Sequence, residues 1–83
     1  MTWSIIWEPR AIAAASRFLD DDSEGLKQVL AAAGLLRSEP RPEGSAPYGS
    51  PDLRRIRIGW YRVVYEIDET AATITVIHLG RVE

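Results

Sequence analysis

The stretch from Leu53 to Ile67 constrains this chain more than any other. It reads Leu-Arg-Arg-Ile-Arg-Ile-Gly-Trp-Tyr-Arg-Val-Val-Tyr-Glu-Ile. Two β-rich runs flank Gly59-Trp60, and glycine at the first central position is the mark of a two-residue type II′ hairpin. That turn pairs Ile58 with Tyr61, Arg57 with Arg62, Ile56 with Val63 and Arg55 with Val64. Side chains alternate along a strand, so Arg55, Arg57, Arg62 and Val64 share one face. Ile56, Ile58, Tyr61, Val63 and Tyr65 share the other, which is the natural core face.

The remaining elements are read around this hairpin. Residues 2–7 alternate Trp3, Ile5 and Trp7 with Thr2, Ser4 and Ile6, a half-buried strand with both tryptophans in the core. Pro9 suits the first turn of a helix over residues 9–20, with Ile12, Ala15 and Leu19 on its apolar stripe beside Ala11 and Phe18. Asp20-Asp21-Asp22-Ser23 ends that helix and caps a second, which carries Leu26, Val29, Leu30, Ala33 and Leu36. Residues 37–52 hold four of the five prolines and read as a long loop. Residues 73–79 read as the last strand. The order β-α-α-β-β-β is a small α+β domain spanning residues 1–83, its helices segregated from an antiparallel meander.

Charge is clustered. The chain carries a formal charge of −2, yet the span from Arg54 to Arg62 holds four arginines and no acid. Nine of the ten basic residues are arginine, the side chain suited to bidentate phosphate contacts. Like charges opposite one another on a sheet destabilise it. Arg55, Arg57 and Arg62 on one exposed face therefore point to an awaited anion, phosphate first; the alternative is a solvated basic face quieted by Glu66. The negative total argues against broad, non-specific nucleic-acid binding. Trp60 at the hairpin tip either stacks on a base or packs over its own hairpin.

Other chemistries are thinly represented. The chain has no cysteine and one histidine, so thiolate catalysis, disulfides and a multi-histidine metal site are not expected, and neither is a cofactor. His78 shares the parity of Ile74 and Val76 and reads as a partly buried strand residue. No apolar run approaches a membrane span, and the first residues do not read as a signal peptide. A chain of this size buries only about 60% of its unfolded surface, so a stabilising partner is expected.

The hairpin motif, preceded by Pro40-Arg41-Pro42-Glu43-Gly44-Ser45, closely resembles the RelE/ParE superfamily of bacterial toxins in type II toxin–antitoxin modules. The resemblance implies a RelE-like fold, a cytoplasmic protein and a cognate antitoxin that wraps it. In the RelE branch it implies mRNA cleavage in the ribosomal A site, with the ribosome and mRNA as partners and the 2′-hydroxyl as the attacking group. Arg55, Arg57 and Arg62 fall on that branch's basic positions. Arg81 lies one position before its usual C-terminal arginine and is the fourth expected catalytic residue, with Arg54 and Trp60 as expected RNA contacts. No general base has motif support; Glu66 and His78 are the candidates. The usual terminal tyrosine is missing after Gly80, which keeps open a ParE-like gyrase inhibitor or a degenerate toxin that only binds its antitoxin.

Overall fold

The computed structural model describes residues 2–82. The chain runs β1 (Ser4–Trp7), α1 (Pro9–Asp21), α2 (Ser23–Leu35), β2 (Ser45–Ser50), β3 (Leu53–Ile58), β4 (Tyr61–Asp68) and β5 (Thr73–Arg81). The five strands form one sheet in the order β1-β5-β4-β3-β2. The β1 strand pairs parallel to β5, because the helical hairpin carries the chain across the sheet before it returns.

The central hairpin has the expected register. Ile58 pairs Tyr61, Arg57 pairs Arg62, Ile56 pairs Val63 and Arg55 pairs Val64. Gly59 has φ +59°, while Trp60 has no positive φ, the pattern of a type II′ turn. On the core face Tyr61, Val63, Tyr65 and Ile67 of β4 and Ile74, Val76 and Leu79 of β5 are buried against Leu26, Val29, Leu36, Ala11 and Ala14. Burying each large apolar side chain stabilises the fold by about 1.5–3 kcal/mol.

The break between the helices is a single residue. Asp22 caps α2, its carboxylate accepting from the Gly25 N–H at 3.1 Å. The apolar stripe of α1 is rotated from the expected one. Ala11 and Ala14 are buried, Ala15 and Phe18 half-buried, while Ile12 and Leu19 keep 54% and 41% of their surface exposed. Small alanines let α1 lie close on β5, and Phe18 reaches the core by packing edge-on against Tyr61, ring centroids 5.3 Å apart. Leu30 of α2 is also exposed, at 44%. Trp3 and Trp7 are partly buried against the core, as expected.

Two features depart from the sequence reading. The 37–52 segment is not all loop: residues 45–50 form an edge strand against β3, with an irregularity between Pro47 and Ser50. Pro47 is tolerated there because an edge strand has one side free of ladder hydrogen bonds. Arg41 anchors the segment by ion pairs to Asp52 (2.9 Å) and Glu69 (3.1 Å), and the Tyr65 hydroxyl donates to the Pro40 carbonyl at 2.6 Å.

The second departure is a bulge in β5. Tyr65 pairs Val76, but Val64 pairs His78, so Ile77 is an extra residue with no partner on β4. Every β5 residue beyond it changes face. Leu79 goes to the core and is 3% exposed, whereas unbroken alternation from Ile74 and Val76 puts it on the open face.

Candidate functional site

The face of the sheet away from the helices carries Arg55 and Arg57 on β3 and Arg62 on β4, all exposed. Arg57 and Arg62 lie directly opposite one another, and Arg55 lies two residues along the strand, about 7 Å away. Among the described residues none of the three has an ion pair, Glu66 included. Arg57 Nε donates to the Gly59 carbonyl at 3.2 Å, which steadies its side chain at the turn. The Arg55 guanidinium lies over the Tyr48 ring at 5.5 Å, a contact made possible by β2. The three arginines, with Gly44, Ala46 and Ile56, line an open depression of about 280 Å³. By its chemistry the hollow suits an anion: three permanently charged side chains line it and no acid does.

The bulge decides what else reaches that face. His78, expected on the core parity, is exposed on the arginine face opposite Val64. Its Nε2 lies 2.8 Å from where a Cβ on Gly80 would stand. Gly80 is the direct cross-strand neighbour of Arg62, so the imidazole leans toward that arginine over a gap that only glycine leaves. The burial of β5 records the insertion: buried residues step by two from Ile74 to Val76, then by three to Leu79.

The same bulge removes Arg81. Its guanidinium is on the helix side, where it pairs with Asp21 at 2.5 Å, donates to the Tyr61 hydroxyl, and lies 5.0 Å from the Phe18 ring centroid. The Tyr61 hydroxyl in turn donates to Asp22 at 2.9 Å. Within this cluster the Tyr61 hydroxyl, then Asp21, raise the Arg81 pKa above its ordinary value. The Gly25 N–H, then Tyr61, with Arg81 adding, hold Asp22 below the usual carboxylate value. Arg81 is thus drawn into a latch between β5 and the helix junction and is not brought to the other three arginines.

The two expected RNA contacts also separate. Arg54 has the parity of Ile56 and lies on the helix side, half-buried, donating to the Ser45 hydroxyl (3.1 Å) and to the carbonyls of Ser45 and Pro51. It fastens β2 to β3. Trp60 projects from the turn, 68% exposed, and does not fold back over the hairpin. Among the described residues no cluster of acidic, histidine or cysteine side chains is arranged to hold a metal, and no helix is long and apolar enough to cross a membrane.

Residues 5–83 match the model of a family described as the ParE toxin of type II toxin–antitoxin system, parDE. A search of curated proteins finds no match. Among solved structures, the isolated RelE toxin of E. coli superposes with TM-score 0.84 at 23% identity, covering 98% of this chain and 85% of that one. The archaeal RelE–RelB complex of Pyrococcus horikoshii gives 0.80 at 23% identity, covering 98% and 96%. A YoeB/ParE toxin of Agrobacterium tumefaciens gives 0.80 at 15%, covering 96% and 98%. At such identities the structural likeness speaks for the fold, and the family match, over nearly the whole chain, speaks for descent: the chain belongs to the RelE/ParE superfamily of type II toxin–antitoxin toxins.

Proposed function

We propose that this toxin is an endoribonuclease that cleaves mRNA on the ribosome in the cytoplasm and is restrained by a cognate antitoxin. The observation that carries this reading is the cradle of Arg55, Arg57 and Arg62, which lack acidic partners among the described residues. In-line attack of a 2′-hydroxyl on the adjacent phosphodiester builds negative charge on the phosphoryl oxygens. Arginines fixed in position before that charge forms stabilise it without reorganisation. Arg57 and Arg62 face each other across the ladder and Arg55 extends the cradle along the RNA backbone. Exposed Trp60 at the tip offers a ring on which a base stacks.

The antitoxin is the second part of the proposal. Ile12, Leu19, Leu30 and Leu35 are exposed on the helices, apolar surface that a partner covers with gain. Several neighbours were solved as toxin–antitoxin complexes, RelBE of E. coli among them.

The test is primer extension on ribosome-bound mRNA, with wild-type protein and Arg62→Ala at equal ribosome occupancy. Cleavage by the first and its loss in the second support the reading. A second reading, inhibition of DNA gyrase, is favoured by one observation: the matching family model is the ParE model. Growth arrest without mRNA cleavage, together with inhibition of gyrase supercoiling in vitro, replaces the first reading by this one.

A further inference from the structure

An arginine cradle stabilises charge but moves no proton, because guanidinium stays protonated throughout the accessible pH range. Attack by a 2′-hydroxyl requires that its proton go somewhere. We propose that His78 is the general base of the arginine face, an inference that rests on the ribonuclease reading above. Three observations place it there. The bulge at Ile77 turns His78 onto the face, opposite Val64. Its Nε2 hangs over Gly80, the cross-strand partner of Arg62. Among the described residues nothing hydrogen-bonds the imidazole, which leaves both its nitrogens open to a ligand.

Neutral imidazole takes the proton of the 2′-hydroxyl as the O2′–P bond forms and the P–O5′ bond breaks. The products are a 2′,3′-cyclic phosphate and a 5′-oxygen that is protonated by water; the imidazolium returns its proton to solvent. The charged groups around His78 are Arg62 and Glu66 on β4, with Arg55 in the same row one strand beyond and Arg57 next to it, and Glu8 and Arg10 beside Ile77 where β1 passes into α1. Glu66 pairs with Thr75, on the far side of the bulge from Gly80. The imidazole leans the other way, toward the cradle.

Gly80 is the positioning residue in this arrangement. It has ordinary backbone angles, so alanine fits its conformation, but the added methyl occupies the space of the imidazole tip. The collision is with the far end of a movable side chain, which swings away and leaves the fold intact.

The experiment measures single-turnover cleavage of ribosome-bound mRNA against pH for wild type, His78→Gln, His78→Gly and Gly80→Ala, with thermal melts of each. Wild type is expected to gain rate as pH rises and then to reach a plateau. His78→Gln should lose about 10²–10⁴-fold and the pH-dependent limb, at an unchanged melting midpoint. Free imidazole should restore part of the rate of His78→Gly. Gly80→Ala should melt like wild type yet cleave more slowly. Wild-type rate and pH profile in His78→Gln, with wild-type cleavage intact, overturn this inference alone. Absence of cleavage by wild type overturns the ribonuclease reading and this inference with it.

Discussion

The two faces of the sheet treat arginine in opposite ways. On the helix side Arg81 has Asp21, the Tyr61 hydroxyl and two rings around it, and Arg54 has three oxygen partners. On the open side Arg55, Arg57 and Arg62 share a hollow without one carboxylate. The helix side thus pairs its arginines with oxygens, while the open face, proposed above to meet RNA, leaves Arg55, Arg57 and Arg62 without an acidic partner among the described residues. Substitutions on one face should cost stability and on the other activity, and each prediction below tests that separation.

The largest effect belongs to the core that carries the helix side. Leu26 has no exposed surface and belongs to the same buried cluster as Tyr61 and Tyr65. Leu26→Ala removes about 2–5 kcal/mol, enough to unfold much of a domain this small. Urea melts of the purified variant check it. A loss below 1 kcal/mol means that the helices contribute less to the sheet than the burial indicates.

Arg62→Ala tests the open face. Turnover should fall by about 100-fold, roughly 3 kcal/mol of transition-state stabilisation, with ribosome affinity nearly unchanged. The melting midpoint should hold or rise slightly, because Arg57 loses a like-charged neighbour. Arg62→Lys should restore only part of the rate, since an ammonium lacks the planar fork. If Arg62→Ala unfolds the protein, the division between faces is wrong.

Acid addresses the latch. Asp22 has a folded-state pKa below its ordinary value of 3.8, held there by the Gly25 N–H and the Tyr61 hydroxyl. A depressed carboxylate contributes stability that is present above its unfolded pKa and lost as pH falls through the folded one. The midpoint of wild type should therefore drop as pH is taken below about 4. Asp22→Asn should melt lower than wild type at pH 7 and lose less on acidification. Parallel curves for the two proteins place the acid sensitivity elsewhere.

The hairpin register, both helices, a cap from the Asp20-Asp21-Asp22-Ser23 cluster and the arginine face were legible because each follows from local rules: two-residue turn, strand alternation, helical spacing. The edge strand β2 was not, because Pro47 and Gly49 within residues 45–50 are loop signals that an edge strand tolerates. The faces of His78 and Arg81 were misplaced by one cause, the extra residue Ile77. A period-2 reading carried through residue 77 exchanges those two side chains. The wish to bury Leu79 outweighed unbroken pairing, and a pattern rule that counts residues in pairs does not foresee an insertion that burial itself selects. Arg54 stands apart from the other three for a simpler reason: it has the parity of Ile56.

The smallest effect is the sharpest test of the comparison, because it asks one substitution to move the two properties in opposite directions. Arg57 and Arg62 occupy directly opposed positions, where a cross-strand pair of opposite sign is worth about 0.2–1 kcal/mol and a like pair costs a similar amount. Arg62→Glu replaces repulsion by attraction without touching the core. The melting midpoint should rise by a few degrees, on the scale of about 4–8 °C per kcal/mol for a domain of this size. The gain should shrink in 1 M salt, where the screening length falls to about 3 Å. Cleavage should disappear, because a carboxylate now stands where the phosphoryl charge develops. Arg57→Glu in the wild-type background should stabilise equally, and the double variant Arg57→Glu/Arg62→Glu should return to about wild-type stability with two like charges restored. A stabilised, inactive single variant means that the fold forgoes stability on this face to keep an anion site open. If Arg62→Glu is destabilised instead, the two arginines are held by something other than their own repulsion, and the cradle is a structural element like the Arg81 latch.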